Sequence, residues 1–242
     1  DFEIDVPILL VDGQVDGPPA EFLKFIDRSP VARRIDNFTE DMRANGSGHL
    51  DLKLKIPLDE AKIDEATVDG TYHFKNNEVT VDSALPPIRQ VNGRLQFSGS
   101  DLRVPEITGT LFGGPLSIKG GLQKDGRVLI TADGSVNIEQ LRKETPSPWL
   151  AHLSGGTPYK GEVRINKRNA DLVVDSELIG LESRLPEPFA KSALELMPLR
   201  FEKKILAVTE KTKSTKTAQE GLPARDQISL ALGKLLSAQM IR

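Results

Sequence analysis

The sequence predicts a mainly β protein built on one long antiparallel sheet, with a short helical segment near its N terminus. Apolar and polar residues alternate over many short stretches, which is typical of strands with one apolar and one polar face. The corners between these stretches are short and rich in Gly, Pro, Ser and Asp, so neighbouring strands should pair antiparallel as a meander. The clearest example is residues 88–121, where Leu95 and Phe97 alternate with polar residues before a Ser-Gly-Ser-Asp corner.

The first part of the chain divides at a change of period. Residues 1–18 are predicted to form a leading strand and turn, because apolar residues alternate from the start and Gly and Pro follow. Residues 19–45 show the three- and four-residue spacing of two short amphipathic helices, broken at Ser29-Pro30. Asn45-Gly46 is predicted to close the second helix as a C-cap.

Residues 46–201 return to a period of two and are predicted to form the main sheet. Residues 124–126, Lys-Asp-Gly, mark a hairpin turn within it. Residues 138–143 have the spacing of a short helical turn, and a Pro-Ser-Pro sequence ends it. The next two residues, Trp149 and Leu150, are predicted to plug an apolar site.

Residues 202–242 combine a Lys- and Thr-rich segment with an apolar end. The apolar residues from 228 onward alternate like a strand, yet their spacing also fits a helix. We favour a C-terminal hairpin that turns at Gly233-Lys234.

Composition excludes several classes of protein. The 242 residues suffice for one large β domain or two smaller ones. The 32 basic residues are balanced by 35 acidic residues, so no basic stripe indicates a nucleic-acid partner. The chain has no Cys, and it has no apolar run near the roughly 20 residues that a membrane span needs. Because the chain begins with Asp and shows no secretory signal, we expect a piece of a longer protein.

Signals of catalysis are weak. The three His residues are scattered without metal-ligand spacing, and we expect each to be a surface or sheet-edge residue. Residues 154–157, Ser-Gly-Gly-Thr, lack the spacing of a phosphate loop, and no nucleophile elbow is present. Acidic pairs such as Asp59-Glu60 would point to opposite faces of an extended chain. The sequence therefore predicts a protein that is not an enzyme and has no metal or cofactor.

The apolar face of the predicted sheet must be covered, because large exposed apolar patches are binding sites or liabilities. A second sheet, helices or a lipid could cover it. About a dozen strands at ~4.8 Å spacing make a sheet roughly 55 to 60 Å wide. The helical segment spans under ~40 Å, so it can cap one end only. Physical reasoning alone places a closed sandwich or barrel slightly ahead of an open groove.

Several segments resemble the YhdP-type branch of the AsmA-like superfamily, which comprises large bacterial envelope proteins. Residues 46–58 resemble its "G-x-G-x-L-x-L-x-L-x-IPL" strand, and residues 75–95 resemble its "FxNN…LP…VNGRLxF" unit. Residues 111–115 are similar to its "LxGGP" corner, and residues 176–199 to its "SxLxGLxxxLPxPxxK…PL" segment. The four phrases occur in the family's order.

This resemblance implies a long curved sheet, a taco-like β-groove, in the periplasmic part of an inner-membrane-anchored protein. Its partners would be phospholipid acyl chains, the remainder of the same chain and other envelope proteins, with membrane contact through segments outside this sequence. Its role would be to help move phospholipids between the inner and outer membranes. The alternative is a non-enzymatic assembly scaffold with a closed, dry β core. The residues expected to line the groove are Leu95, Phe97, Leu102, Val104, Ile107, Leu111, Leu116, Ile118, Val128 and Ile130.

Overall fold

A single antiparallel sheet of 13 strands dominates the computed structural model of the chain. Twelve strands follow one another in nearly sequential order, and the short β10 pairs with β8 beside this path. The structure describes residues 7–28, 42–59, 65–81, 86–99, 101–145, 147–166, 169–206 and 225–241.

The strands vary in length from three residues to fifteen. They are β1 (Ile8–Gly17), β2 (Arg43–Pro57), β3 (Thr67–Thr80), β4 (Ile88–Ser98), β5 (Leu102–Leu111), β6 (Gly114–Leu122), β7 (Val128–Asn137), β8 (Leu153–Asn166), β9 (Asn169–Ser176), β10 (Leu181–Ser183), β11 (Leu199–Leu206), β12 (Arg225–Leu232) and β13 (Leu236–Ile241). The helices are α1 (Pro19–Asp27), α2 (Ile138–Glu144) and a 3-10 helix (Pro148–His152).

The sheet is open and curved. Its register shifts between β2 and β3, and again at each pairing up to β6. Such bulges bend a strand and increase its twist. Among the described residues β1 and β13 are the outer strands and do not pair with each other. The expectation of a closed sandwich or barrel is therefore wrong for this part of the chain. The period-two pattern defines a strand's faces but does not determine whether the first and last strands meet.

The helical elements differ from the sequence prediction in two places. Asn45-Gly46 does not cap a helix, because both residues lie in β2, and Gly46 has a positive φ of 108° at the bulge opposite Asn77. Trp149 does not plug an apolar site, since its side chain is 56% exposed. The break at Ser29-Pro30 and the body of the second predicted helix lie outside the described residues, as do the first six residues and most of the Lys- and Thr-rich segment.

A small apolar core lies where α2 and the 3-10 helix connect β7 to β8. Leu150 is 1% exposed and packs with Ile138 of α2 and Leu181 of β10. The structure also has α2 where a helical turn was predicted, with the Asn137 side chain accepting a hydrogen bond from the Gln140 backbone N–H. The C-terminal segment is a hairpin in which β12 pairs with β13, and its turn comprises residues 233–235.

Candidate functional site: the apolar face of the sheet

One row of residues crosses the whole sheet from β1 to β13, each paired directly with the next. Directly paired residues lie on the same face of a sheet. The row contains only apolar residues and glycine, and we call it the apolar row and its side of the sheet the apolar face. Its members are Gly17, Gly48, Phe74, Gly93, Ile107, Ile118, Ala132, Gly161, Val174, Phe201, Leu230 and Ala238.

The residues predicted to line a groove all lie on this face. Leu95 pairs with Tyr72, and Phe97 pairs with Leu102. The others fall into the same alternation on β5, β6 and β7. Val104 and Leu116 are buried, whereas the other predicted lining residues are partly exposed. The face is thus neither sealed like a core nor fully open to solvent, and its contact with lipid stays a prediction.

The apolar face is not uniform in charge along its length. Lys203 lies on it, paired with Leu172 on one side and Ile228 on the other, three residues before β11 ends. Lysine can lay its methylene chain along apolar surface while its ammonium group reaches water. This position therefore puts a positive charge on the same face as the apolar row.

The opposite face is polar and carries ion pairs between neighbouring strands. The Arg200 guanidinium contacts both carboxylate oxygens of Asp175 at 2.9 and 2.8 Å. Salt bridges of this exposed kind contribute little individually, typically up to about 1 kcal/mol. These ion pairs and the exposed charged side chains distinguish this polar face from the apolar face.

Two histidines lie close together on the polar face. Their scattered positions in the sequence did not reveal this proximity. His49 Nε2 lies 3.4 Å from Asp51 Oδ1, and His73 Nε2 lies 3.3 Å from Asp51 Oδ2. His49 Nδ1 also lies 3.0 Å from Asp16 Oδ1 on β1. Cross-strand pairing of His49 with His73 causes this meeting. Within the described part of the chain no group of three or more His, Cys, Asp or Glu residues is arranged to hold a metal ion.

Asn77 secures the bulge between β2 and β3. Its side chain is fully buried and accepts a hydrogen bond from the Lys75 N–H at 2.8 Å. Its Nδ2 donates to the carbonyl oxygens of Asn45 at 3.1 Å and Ser47 at 2.8 Å. A single amide thus supplies partners to three backbone groups that the bulge takes out of the regular ladder. This explains the second Asn of the "FxNN" phrase.

The other quoted phrases also contain residues with structural roles. A side chain on Gly113 would come within 2.7 Å of Gln140 and Leu141, so this glycine lets α2 pack against the corner after β5. Lys191 is 4% exposed, and its Nζ donates to the carbonyl oxygens of Leu181 and Ser192, each at 2.8 Å. Burial lowers the pKa of the Lys191 ammonium, and nearby Glu195 opposes this change.

Both tyrosines of the chain lie on the apolar face, and both are buried. Tyr72 is 6% exposed and Tyr159 is 8% exposed. Burial away from water raises the pKa of each phenol to about 12, because a phenolate would be poorly solvated there. Phe22 of α1 contacts Tyr72 edge-on with 5.0 Å between ring centroids, which places α1 over this part of the face.

These tyrosines predict a loss of stability in alkali. An unfolded phenol titrates near pH ~10, whereas the folded ones titrate at about 12. Between these values the unfolded chain has lost protons that the folded protein retains, so the free energy of unfolding should fall as pH rises. Chemical denaturation at stepwise increasing pH would measure this fall. A variant with Tyr72→Phe and Tyr159→Phe should show a shallower decline, and an identical decline would contradict the assignment.

A cleft of about 370 Å³ lies where β6, β7 and β8 meet, lined by glycine, proline and small side chains such as Ser135 and Thr157. A second cleft of about 520 Å³ lies among charged residues of β7, β8, β9 and β11, including Asp175 and Arg200. Neither contains any of the predicted lining residues. No helix in the described part of the chain has the length and apolarity that crossing a membrane requires.

Comparison with known proteins connects this architecture to one family. The family model for YhdP protein matches residues 1–240. The chain is 24% identical over 194 residues to the intermembrane phospholipid transporter YhdP of Escherichia coli (strain K12), in an alignment that covers 77% of this chain. The alignment covers 15% of that relative, so the chain corresponds to a small part of its length. No solved structure matches the chain.

Proposed function

The chain belongs to the YhdP protein family, and on that premise we propose that its apolar face binds phospholipid acyl chains as one section of a periplasmic groove. The larger protein, anchored in the inner membrane, would use such sections to help move phospholipids between the inner and outer membranes. The relative from Escherichia coli is named an intermembrane phospholipid transporter, which supports phospholipid as the cargo.

The unbroken apolar row is the observation that carries this proposal. A row from one outer strand to the other gives an acyl chain a continuous apolar path across the sheet. Most of its members are partly exposed, as binding requires, whereas a sealed core would bury them. Burying a methylene group contributes ~0.8 kcal/mol, so ten methylenes on this face would supply about 8 kcal/mol before the costs of binding.

Transfer of this kind needs no bond to be made or broken. The section would act by hydrophobic burial alone, without a catalytic residue or a cofactor. Phosphate head groups would stay at the rim of the groove, in water. The charged and hydrogen-bonded residues of the opposite face suit a surface directed towards the aqueous periplasm.

An envelope scaffold with a dry β core is the rival function. The small core around Leu150 shows that part of the chain does exclude water and lipid. That core lies beside α2 and the 3-10 helix and does not extend along the apolar row. The rival therefore has less support than the groove.

Native mass spectrometry of the gently purified protein would decide between the two functions. We expect bound phospholipid at a defined stoichiometry, with its head group identified after solvent extraction. Added phospholipid should restore the bound mass after extraction and raise the melting temperature, because a ligand of the native state stabilises it. A lipid-free protein whose melting does not respond to added lipid would overturn the groove and favour the scaffold.

A further inference from the structure

The chain has two tyrosines, and both occupy the same kind of position. Each lies on the apolar face with its ring over a glycine of a neighbouring strand. Tyr72 of β3 covers Gly48 of β2, and Tyr159 of β8 covers Gly134 of β7. A side chain added at either glycine would overlap the tyrosine ring and its hydroxyl. The glycines therefore let both rings lie flat on the sheet.

Neither tyrosine hydroxyl has a hydrogen-bond partner among the described residues, although both oxygens are buried. Buried hydroxyl groups in proteins are normally hydrogen-bonded, because desolvation without a partner costs stability. Two tyrosines that share this state therefore need an explanation. Their raised pKa values keep both phenols protonated, so each can donate a hydrogen bond.

A third position on the same face shows that packing does not require the hydroxyl. Phe97 of β4 covers Gly70 of β3 in the same way, and a side chain on that glycine would overlap the Phe97 ring. Phenylalanine thus fills such a position without burying a polar group that lacks a hydrogen-bond partner. The hydroxyls of Tyr72 and Tyr159 therefore suit a function that a benzene ring cannot perform.

The surroundings of the hydroxyls favour an uncharged acceptor. Tyr72 pairs across the sheet with Leu50 and Leu95, and Phe74 contacts its ring edge-on at 4.8 Å. Tyr159 pairs with Gly134. Among the described residues, no lysine or arginine pairs directly with either tyrosine to neutralise an anion. A phosphate would be poorly solvated there, whereas the carbonyl oxygen of a carboxylic ester requires only a donor.

We propose that the hydroxyls of Tyr72 and Tyr159, which lie five strands apart, each donate a hydrogen bond to an ester carbonyl oxygen of a separate glycerolipid whose acyl chains lie on the apolar face. This inference rests on the proposed function and adds selectivity for ester-linked over ether-linked lipids. The Phe22 ring overlies Tyr72, and the Phe112 ring lies 6.2 Å from that of Tyr159. Both rings turn aside when the lipid reaches the hydroxyls.

A matched pair of lipids tests this inference directly. The full chain would be titrated with a diester phosphatidylglycerol and with the diether analogue that has the same head group and chain length. We expect the diester to bind about three- to tenfold more tightly, the range that one net hydrogen bond supplies. The double variant Tyr72→Phe and Tyr159→Phe should lose this preference and bind the two lipids with equal affinity.

Phe97→Leu is the matched control, because it removes a ring from the third glycine without removing a hydroxyl. It should change the affinities for both lipids by the same factor.

Infrared spectra of diester lipid labelled with carbon-13 at its carbonyls should show a lower carbonyl stretching frequency on the unaltered protein than on the double variant. Equal affinities for the two lipids, or a preference that survives in the double variant, would overturn this inference alone. Failure of the folded protein to bind either lipid would overturn the proposed function as well.

Discussion

Replacement of Ile118 by Asp should lower the amount of lipid bound to the protein at least about tenfold. Ile118 lies in the apolar row, paired with Ile107 and Ala132, and its side chain is partly exposed. An ionised carboxylate at this point would lose its water when an acyl chain covers it, which costs several times the ~1.4 kcal/mol that corresponds to tenfold in affinity. Photo-crosslinking to a lipid probe, with quantification of co-purified phospholipid, would measure the loss.

The control for this variant is Thr131→Asp, on the other face of the adjacent strand. Thr131 is exposed and lies between Lys119 and Glu162 on the neighbouring strands, so an aspartate there stays in water between charges of both signs. We expect this variant to retain full lipid binding. Circular dichroism should show both variants folded, since Ile118 is not fully enclosed. Undiminished crosslinking in folded Ile118→Asp protein would remove the apolar row from the binding site.

Replacement of Asn77 by Ala should reduce the free energy of unfolding by about 2 to 4 kcal/mol. The fully buried Asn77 amide bonds three backbone groups, those of Lys75, Asn45 and Ser47. Leaving a buried polar group without its partner costs about 1 to 3 kcal/mol. The combined cost for the three groups is partly recovered because the backbone shifts or water enters to bond them. Urea unfolding followed by circular dichroism would measure the difference.

The neighbouring residue supplies the comparison. Asn76 is exposed and has a positive φ of 53°, a conformation that glycine adopts without strain. Asn76→Gly should therefore change the free energy of unfolding by no more than about 0.5 kcal/mol. If the two variants were equally stable, the buried amide would not be what secures the bulge.

Several residues of the family phrases fix the backbone, whereas Ile118 and Val128, which are proposed to meet lipid, lie outside those phrases. Asn77 bonds a bulge, Gly113 admits α2, and buried Lys191 ties its loop to two carbonyl groups. Ile118 and Val128 are ordinary apolar residues that many alternatives could replace. Recognition of the family therefore rests partly on residues that shape the sheet, and most of the proposed binding surface was identifiable only from its alternation.

Two local errors of the sequence prediction have tertiary causes. Asn45-Gly46 matches a helix C-cap in composition, but the same left-handed glycine also serves a β-bulge, and the partner that decides is Asn77, far along the chain. Trp149 and Leu150 are adjacent and both apolar, yet a 3-10 helix turns one inward and the other towards water. In both cases the residue type allowed two outcomes, and tertiary contacts selected one.

Alternation along the chain was enough to predict the strands and the face to which most side chains belong, because the period of two is a property of the extended backbone. It therefore sufficed to place Leu95, Ile118 and Ile130 on one side of the sheet. The folded arrangement was needed to show that the sheet stays open, that His49 meets His73, and that both tyrosines cover glycines. Each of these depends on which strands become neighbours and in what register, and bulges such as the one at Asn77 change that register in ways that alternation along a single strand does not record.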